Sequence, residues 1–214
     1  MEESKMNSIK TIVQLVIDGD KEGIEDGVKA ALDEGVEAKR ILQALVEGMD
    51  HVGEEWHLQN MFIPEVLISA RTMQRGMALI KPQLTSTEVG LRGKIVIGTV
   101  QGDLHDIGKS LVGMMIEGAG FDVIDLGVDI SAAKFVEAVK TYQPNVIGMS
   151  TLLTTTMPYM RDTINSLKEA GLRSGVKVLI GGAPVTQNFA DAIGADGYAP
   201  DGATAVQKVR ELIG

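Results

Sequence analysis

The sequence predicts an α/β protein in two parts: an N-terminal four-helix bundle, then an open, doubly wound parallel sheet of five strands. Three observations predict it. Apolar residues recur at spacings of three and four from about Met6 to Pro82, short apolar runs alternate with helical patterns from Lys94 onward, and a polar, aperiodic stretch separates the two patterns.

In the first part the helical stripe runs through Ile9, Ile12, Val13 and Val16, then Ile24, Val28 and Leu32, then Ile41, Leu42, Leu45 and Met49. Breaks are expected near Asp18-Gly19-Asp20, at Glu34-Gly35 and around Gln59-Asn60. Pro64 fits the first turn of a fourth helix through Met73 and Met77 to about Ile80, and short connections make a bundle the simplest packing. The stretch with Pro82, Ser86, Gly90 and Gly93 reads as a linker. The expected domains are therefore 1–82 and 94–214, with 83–93 between them.

In the second part, strands are expected at Ile95 to Val100, Val123 to Leu126, Val146 to Met149, Val178 to Ile180 and near Gly197-Tyr198. Helices fit between and after them at roughly Ile107 to Ala119, Ala132 to Tyr142, Met157 to Ala170, Val185 to Ile193 and Ala203 to Ile213. Runs apolar on both faces imply a parallel, flavodoxin- or Rossmann-like sheet whose ligand lies at the carboxyl ends of the strands.

Composition narrows the function classes. The 214 residues are 44% apolar, which is ample for a core. A net charge of −9 without a Lys/Arg cluster argues against nucleic acid as a partner. No apolar run approaches the roughly 20 residues that span a bilayer, and Met1-Glu2-Glu3-Ser4-Lys5 lacks a signal-peptide core, so no membrane partner and a cytoplasmic location are expected. The absence of Cys excludes disulfides and thiolate metal sites.

Chemistry concentrates in Gly102-Asp103-Leu104-His105-Asp106-Ile107-Gly108, which follows the first strand. A histidine with a carboxylate two residues before it can offer one ring nitrogen to a metal while the other donates to the Asp. His51 and His57 lie in another segment, so a three- or four-ligand protein site is poorly supplied. A single axial ligand to a cofactor with its own equatorial ligands fits better. Past the third strand comes the hydroxyl-rich run Ser150-Thr151-Leu152-Leu153-Thr154-Thr155-Thr156, which suits polar ligand contacts but also a helix cap at Thr155 or Thr156. Past the fourth comes Gly181-Gly182, where missing side chains leave room for something bulky, or simply make a turn. Taken singly, each feature has such a plain structural reading.

Their joint placement is more specific. Forty-one residues separate Gly108 from Ser150, and twenty-eight separate Leu152 from Gly181. This resembles the Asp-x-His-x-x-Gly, Ser-x-Leu, Gly-Gly signature of cobalamin-binding proteins: methionine synthase, corrinoid proteins and carbon-skeleton mutases. The segment Phe62 to Met73 is similar to the helical cap of the methyl-transferring members.

The resemblance implies cobalamin as cofactor, bound with its own base detached. His105 would be the lower cobalt ligand and Asp103 its hydrogen-bond partner, the two residues of the chemistry. Gly102, Asp106, Ile107 and Gly108 would frame the loop, while Ser150, Leu152, Thr154, Gly181 and Gly182 would line the slot for the detached nucleotide tail, with Asp201, Gly202 and Ala203 near its end. Thr156 matches a serine that extends the His-Asp chain in methionine synthase, and Phe62 would shield the upper face of the corrin. Because methyl-Co(III) favours a lower imidazole and Co(I) releases it, the His-Asp pair would couple protonation to oxidation state.

The chain is too short for methionine synthase's substrate barrels. The resemblance therefore implies a corrinoid methyl carrier of the methanol, methylamine, methoxyaromatic or betaine type, inactive alone. Its Co(I) would take a methyl group from a substrate-specific methyltransferase and pass it, as methyl-Co(III), to a second methyltransferase acting on a pterin or thiol; a reductive activase would be a further partner. The alternatives are a cobalamin-dependent sensor or regulator, the small subunit of an adenosylcobalamin mutase, and a receiver domain phosphorylated on Asp103 or Asp106. The last leaves His105 without a role.

Overall fold

A computed structural model of the chain describes residues 2–84 and 92–214; positions 85–91, within the expected linker, lie outside the described residues. The chain forms two compact units, Met1–Leu91 with Glu117–Gly120 and Arg92–Ile116 with Phe121–Gly214.

The first unit is built from α1 (Glu2–Ile17), α2 (Gly23–Asp33), α3 (Ala38–His57) and α4 (Ile63–Ile80), followed by a short 3-10 turn, Lys81–Gln83. The predicted stripes are the core: Ile12, Val16, Ile24, Val28, Ile41, Leu42, Leu45, Val66 and Met73 are all buried. α1 packs on α2 and α3, and α4 on α2 and α3, giving the four-helix arrangement the spacing predicts. The break after α1 has a specific cause. Gly19 takes φ +68°, the Asp20 N–H closes back on Leu15 O at 3.0 Å, and a side chain at Gly19 would run into Ile68 of α4. α4 starts where the sequence places it, with Pro64 in the first turn and Glu65 Oε2 accepting from the Phe62 N–H at 2.8 Å.

The second unit alternates β1 (Lys94–Thr99), α5 (Ile107–Gly118), β2 (Asp122–Asp125), α6 (Ala132–Tyr142), β3 (Val146–Ser150), α7 (Pro158–Glu169), β4 (Lys177–Gly181), α8 (Gln187–Ile193), β5 (Gly197–Ala199) and α9 (Gly202–Ile213). All strand pairs are parallel, in the order β2-β1-β3-β4-β5. Val96, Ile147, Val178 and Ile180 are buried with Phe135, Met160, Ile164 and Leu167 from the flanking helices. Helix starts differ from the sequence reading by one or two residues because side chains cap them. Thr186 accepts from the Phe189 N–H, so α8 begins at Gln187 rather than Val185, and Asp201 starts α9 at Gly202.

The strand order reverses between β1 and β3, the switch point at whose carboxyl edge open α/β sheets bind their ligands. Register carries the motifs to that edge: Thr99 pairs with Ser150, Ser150 with Gly181, and Gly181 with Ala199. Among the described residues no helix is long and apolar enough to cross a membrane.

Candidate functional site

The loop between β1 and α5 is held from three directions. Thr99 Oγ1 donates to the carbonyl oxygen of His105 at 2.8 Å. Asp129, a non-glycine residue at φ +54°, accepts from the Gly102 N–H at 2.7 Å and returns its own N–H to Asp103 O at 3.1 Å. Lys109, buried in the first turn of α5, pairs with Asp106 at 2.7 Å and with Asp125 at the end of β2. The loop is thus pinned to the β2–α6 connection as well as to its own strand.

Within it Asp103 is fully buried and saturated. Its Oδ1 accepts from the His105 backbone N–H at 3.0 Å and from His105 Nδ1 at 2.6 Å. Its Oδ2 accepts from the Leu152 N–H at 2.6 Å, the Thr151 hydroxyl at 2.8 Å and the Leu153 N–H at 3.3 Å. Burial works against the charge, but the hydrogen bonds from His105 and Leu152 N–H, the His105 ring and Thr151 together outweigh it. They hold the Asp103 carboxyl well below the usual carboxylate range. An ionised carboxylate only accepts, so Nδ1 carries the hydrogen and Nε2 is the ring nitrogen left for a metal. The His105 side chain is 52% exposed, so that nitrogen is accessible.

The other predicted residues divide by environment. Leu104 (72% exposed) and Ile107 (88%) present apolar side chains beside His105 in sequence; Leu152, Leu153 and Tyr159 do so from the segment after β3. Gly102 takes φ +80°, while Gly108 opens on space. Gly181 lies against Ala199 O, where a Cβ would stand 2.8 Å away. Gly182, at φ +126°, lies against Thr151, and a Cβ there would overlap its carbonyl oxygen. The two glycines thus serve close backbone approach at the carboxyl end of β4. Asp201 caps α9 through the Thr204 N–H at 2.8 Å, and Gly202 is buried against Met115. Thr154 is exposed and Ser150 half-buried, with Ser150 O accepting from the Val100 N–H. Phe62 belongs to the helical unit, at the start of α4, and is 70% exposed.

Thr156 is buried, and its hydroxyl lies 2.5 Å from that of Thr151 and 3.4 Å from Asp103 Oδ2. It caps no helix: α7 has Met157 at its N-cap position, without a side-chain cap bond. Sequence reasoning singled out neither Thr151 nor Thr99, Lys109, Asp125 and Asp129. Thr151 stands inside the hydroxyl run, and only its burial distinguishes it. Of the two acidic partners, Asp125 ends β2 and Asp129 lies in the connection after it, and neither stretch carries a motif.

Asp201→Ala is expected to lower the stability of the cofactor-free protein by about 1 kcal/mol, the usual worth of an N-cap, in chemical denaturation. A residue serving only a bound ligand would leave that measurement unchanged.

Among the described residues no group of three or more His, Asp or Glu is placed to hold a metal ion. One half-exposed imidazole, exposed apolar side chains and a position at the β1/β3 switch point suit a flat macrocycle that brings its own equatorial ligands. Fold and site thus define a B12-binding α/β protein. Residues 93–209 match the family model described as B12 binding domain, and residues 8–81 match a second model of that description. A corrinoid protein of Desulfitobacterium hafniense is 41% identical over 213 residues, 98% of this chain and 99% of that one. Dimethylamine corrinoid protein 1 of Methanosarcina acetivorans is 42% identical over 211 residues, 98% and 99% of the two chains. The methanol:cobalamin methyltransferase complex MtaBC of Methanosarcina barkeri contains a chain that superimposes with TM-score 0.84 at 27% identity, covering 100% of this chain and 89% of that one. The chain belongs to the family of cobalamin-binding corrinoid proteins.

Proposed function

We propose that this protein is a methyl carrier whose cobalamin is held base-off, with His105 Nε2 as the lower cobalt ligand. The observation that carries the reading is the His105–Asp103 pair, with Nδ1 bonded at 2.6 Å to a buried, ionised carboxylate while the rest of the ring faces solvent. When bound, cobalamin supplies a cobalt centre that takes up a methyl group in its Co(I) state and gives it away again.

The chain's own residues bind, orient and shield. Asp103 fixes the tautomer and direction of His105, which keeps a lone pair on Nε2. Ser150, Leu152, Thr154, Gly181, Gly182 and the turn Asp201-Gly202-Ala203 border the groove for the detached nucleotide tail, supported by the alignment of Ser150 and Gly181 on adjacent strands. Gly102, Asp106, Ile107 and Gly108 frame the ring's lower side. Residues 1–82 are the helical cap module, with Phe62 its exposed aromatic residue at the start of α4, 83–93 the linker and 94–214 the cobalamin-binding module.

The methyl donor is held by a separate substrate-specific methyltransferase. The name of the Methanosarcina acetivorans relative supports a methylamine as donor, and the MtaBC complex supports assembly with a methyltransferase chain. The further partners of this reading are a second methyltransferase acting on a pterin or thiol and a reductive activase.

The test is the visible spectrum of the protein reconstituted with cobalamin. Wild type gives base-off, histidine-ligated cobalt. His105→Ala gives base-off cobalt without a nitrogen ligand; identical spectra would remove the ligand assignment.

A further inference from the structure

Thr151 stands between the two residues that the sequence motif links. Its hydroxyl is buried, lies 2.8 Å from Asp103 Oδ2 and lies 2.5 Å from Thr156 Oγ1. A hydroxyl has one proton. The Thr156 hydroxyl lies nearer to Thr151 than Asp103 Oδ2 does and Leu153 O stands at 3.3 Å, but Asp103 is the charged acceptor, so Thr151 donates to the carboxylate. With the Thr151 proton on the carboxylate, the short contact between the two hydroxyls requires Thr156 to donate to Thr151, in competition with Leu153 O at 3.0 Å.

We propose that Thr151 is a positioning and tuning residue that sets how strongly His105 binds cobalt. The inference rests on His105 being the cobalt ligand. The two carboxylate oxygens divide their work: Oδ1 receives only His105, and Oδ2 receives the donors from the segment after β3. Each donor on Oδ2 draws charge from the carboxylate and weakens it as an acceptor for Nδ1–H. A weaker acceptor leaves the imidazole a weaker electron donor at Nε2. Leu152 and Leu153 act through backbone N–H groups, which no side-chain change removes, so Thr151 is the closest donor whose identity the sequence chooses. Its position is fixed by β4: the Thr151 N–H donates to Gly181 O at 3.3 Å, and Gly182 lies flat against its carbonyl.

Thr151→Val keeps the shape and removes the donor. Asp103 then accepts more strongly from His105, and histidine ligation of Co(II) tightens by about 10-fold, the low end for an outer partner of a metal-bound histidine. Since Co(I) carries no lower ligand, the Co(II)/Co(I) midpoint moves to more negative potential by about 59 mV. In the cofactor-free protein the His105 Nδ1 proton resonance moves downfield. Thr151→Ser keeps the hydroxyl and retains wild-type values in both measurements, and Thr151→Ala follows Thr151→Val if the branched side chain disturbs folding.

An unchanged midpoint, a shift to positive potential, or a serine variant that behaves like valine overturns the proposal. His105→Ala separates the two levels. If its spectrum and midpoint match wild type, the ligand assignment itself fails; if they differ while Thr151→Val leaves potential and Nδ1 resonance in place, only the role of Thr151 falls.

Discussion

Asp103→Ala is expected to destabilise the cofactor-free protein by about 3–5 kcal/mol and to weaken cobalamin binding by about 10- to 100-fold. The size follows from what the carboxylate holds. Removing it strands the His105, Leu152 and Leu153 N–H groups and the Nδ1 hydrogen of His105, all part-buried, and the buried Thr151 hydroxyl. The loop after β1 and the segment after β3 lose the group that joins them, at separations of 48 to 50 residues.

The same variant changes the response to acid. The Asp103 carboxyl is held below its ordinary value of 3.8 in the folded state, so below about pH 4 the unfolded chain takes up a proton that the folded one refuses. The contribution of Asp103 is therefore complete above that pH and is lost as pH falls. Denaturation midpoints measured from about pH 6 down to pH 3 should drop more steeply for wild type than for Asp103→Ala. Parallel slopes would mean that the carboxylate is not held in its charged form.

Gly182→Ala is expected to cost more than about 4 kcal/mol, enough to leave little folded protein, because two penalties add. At φ +126° any L side chain is strained, and the new Cβ would overlap the Thr151 carbonyl oxygen while standing 2.9 Å from its carbon. Neither atom belongs to a side chain that can swing aside. Relief requires Thr151 to move, and with it the donor to Asp103. A variant of wild-type stability, read by thermal unfolding, would show that this backbone contact is not needed.

That glycine illustrates what the sequence does and does not reveal. Gly181-Gly182 reads as a place where a large ligand approaches the backbone, and a turn was the alternative. The structure adds a tertiary reason, the approach of Thr151 and Ala199, which depends on strand order and has no local signature. The helices and strands were legible because burial imposes periods of three to four in the bundle and unbroken apolar runs in a parallel sheet. Their ends shifted where Thr186 and Asp201 cap, since a cap is chosen among several nearby hydroxyls and carboxylates by geometry.

The site shows the same division. His105 and Asp103 are two residues apart, and their contact is local, so the motif exposes it. Asp125, at the end of β2, and Asp129, in the connection after it, brace the loop, and their contribution exists only once β2 lies beside β1. The resemblance makes Thr156 the next link after Asp103. Thr151, one residue past the strand, is nearer to the carboxylate, 2.8 Å against 3.4 Å. Sequence order could not rank the two hydroxyls, because the ranking depends on how the segment after β3 folds back on the loop after β1.

The central claim is that His105 binds cobalt through Nε2. The most direct measurement is electron paramagnetic resonance of the Co(II) form, comparing protein made with ordinary and with 15N-labelled histidine. The account predicts that each cobalt line is split into three by an axial 14N and into two after labelling. Unsplit lines, or a three-line pattern that labelling leaves untouched, would contradict it.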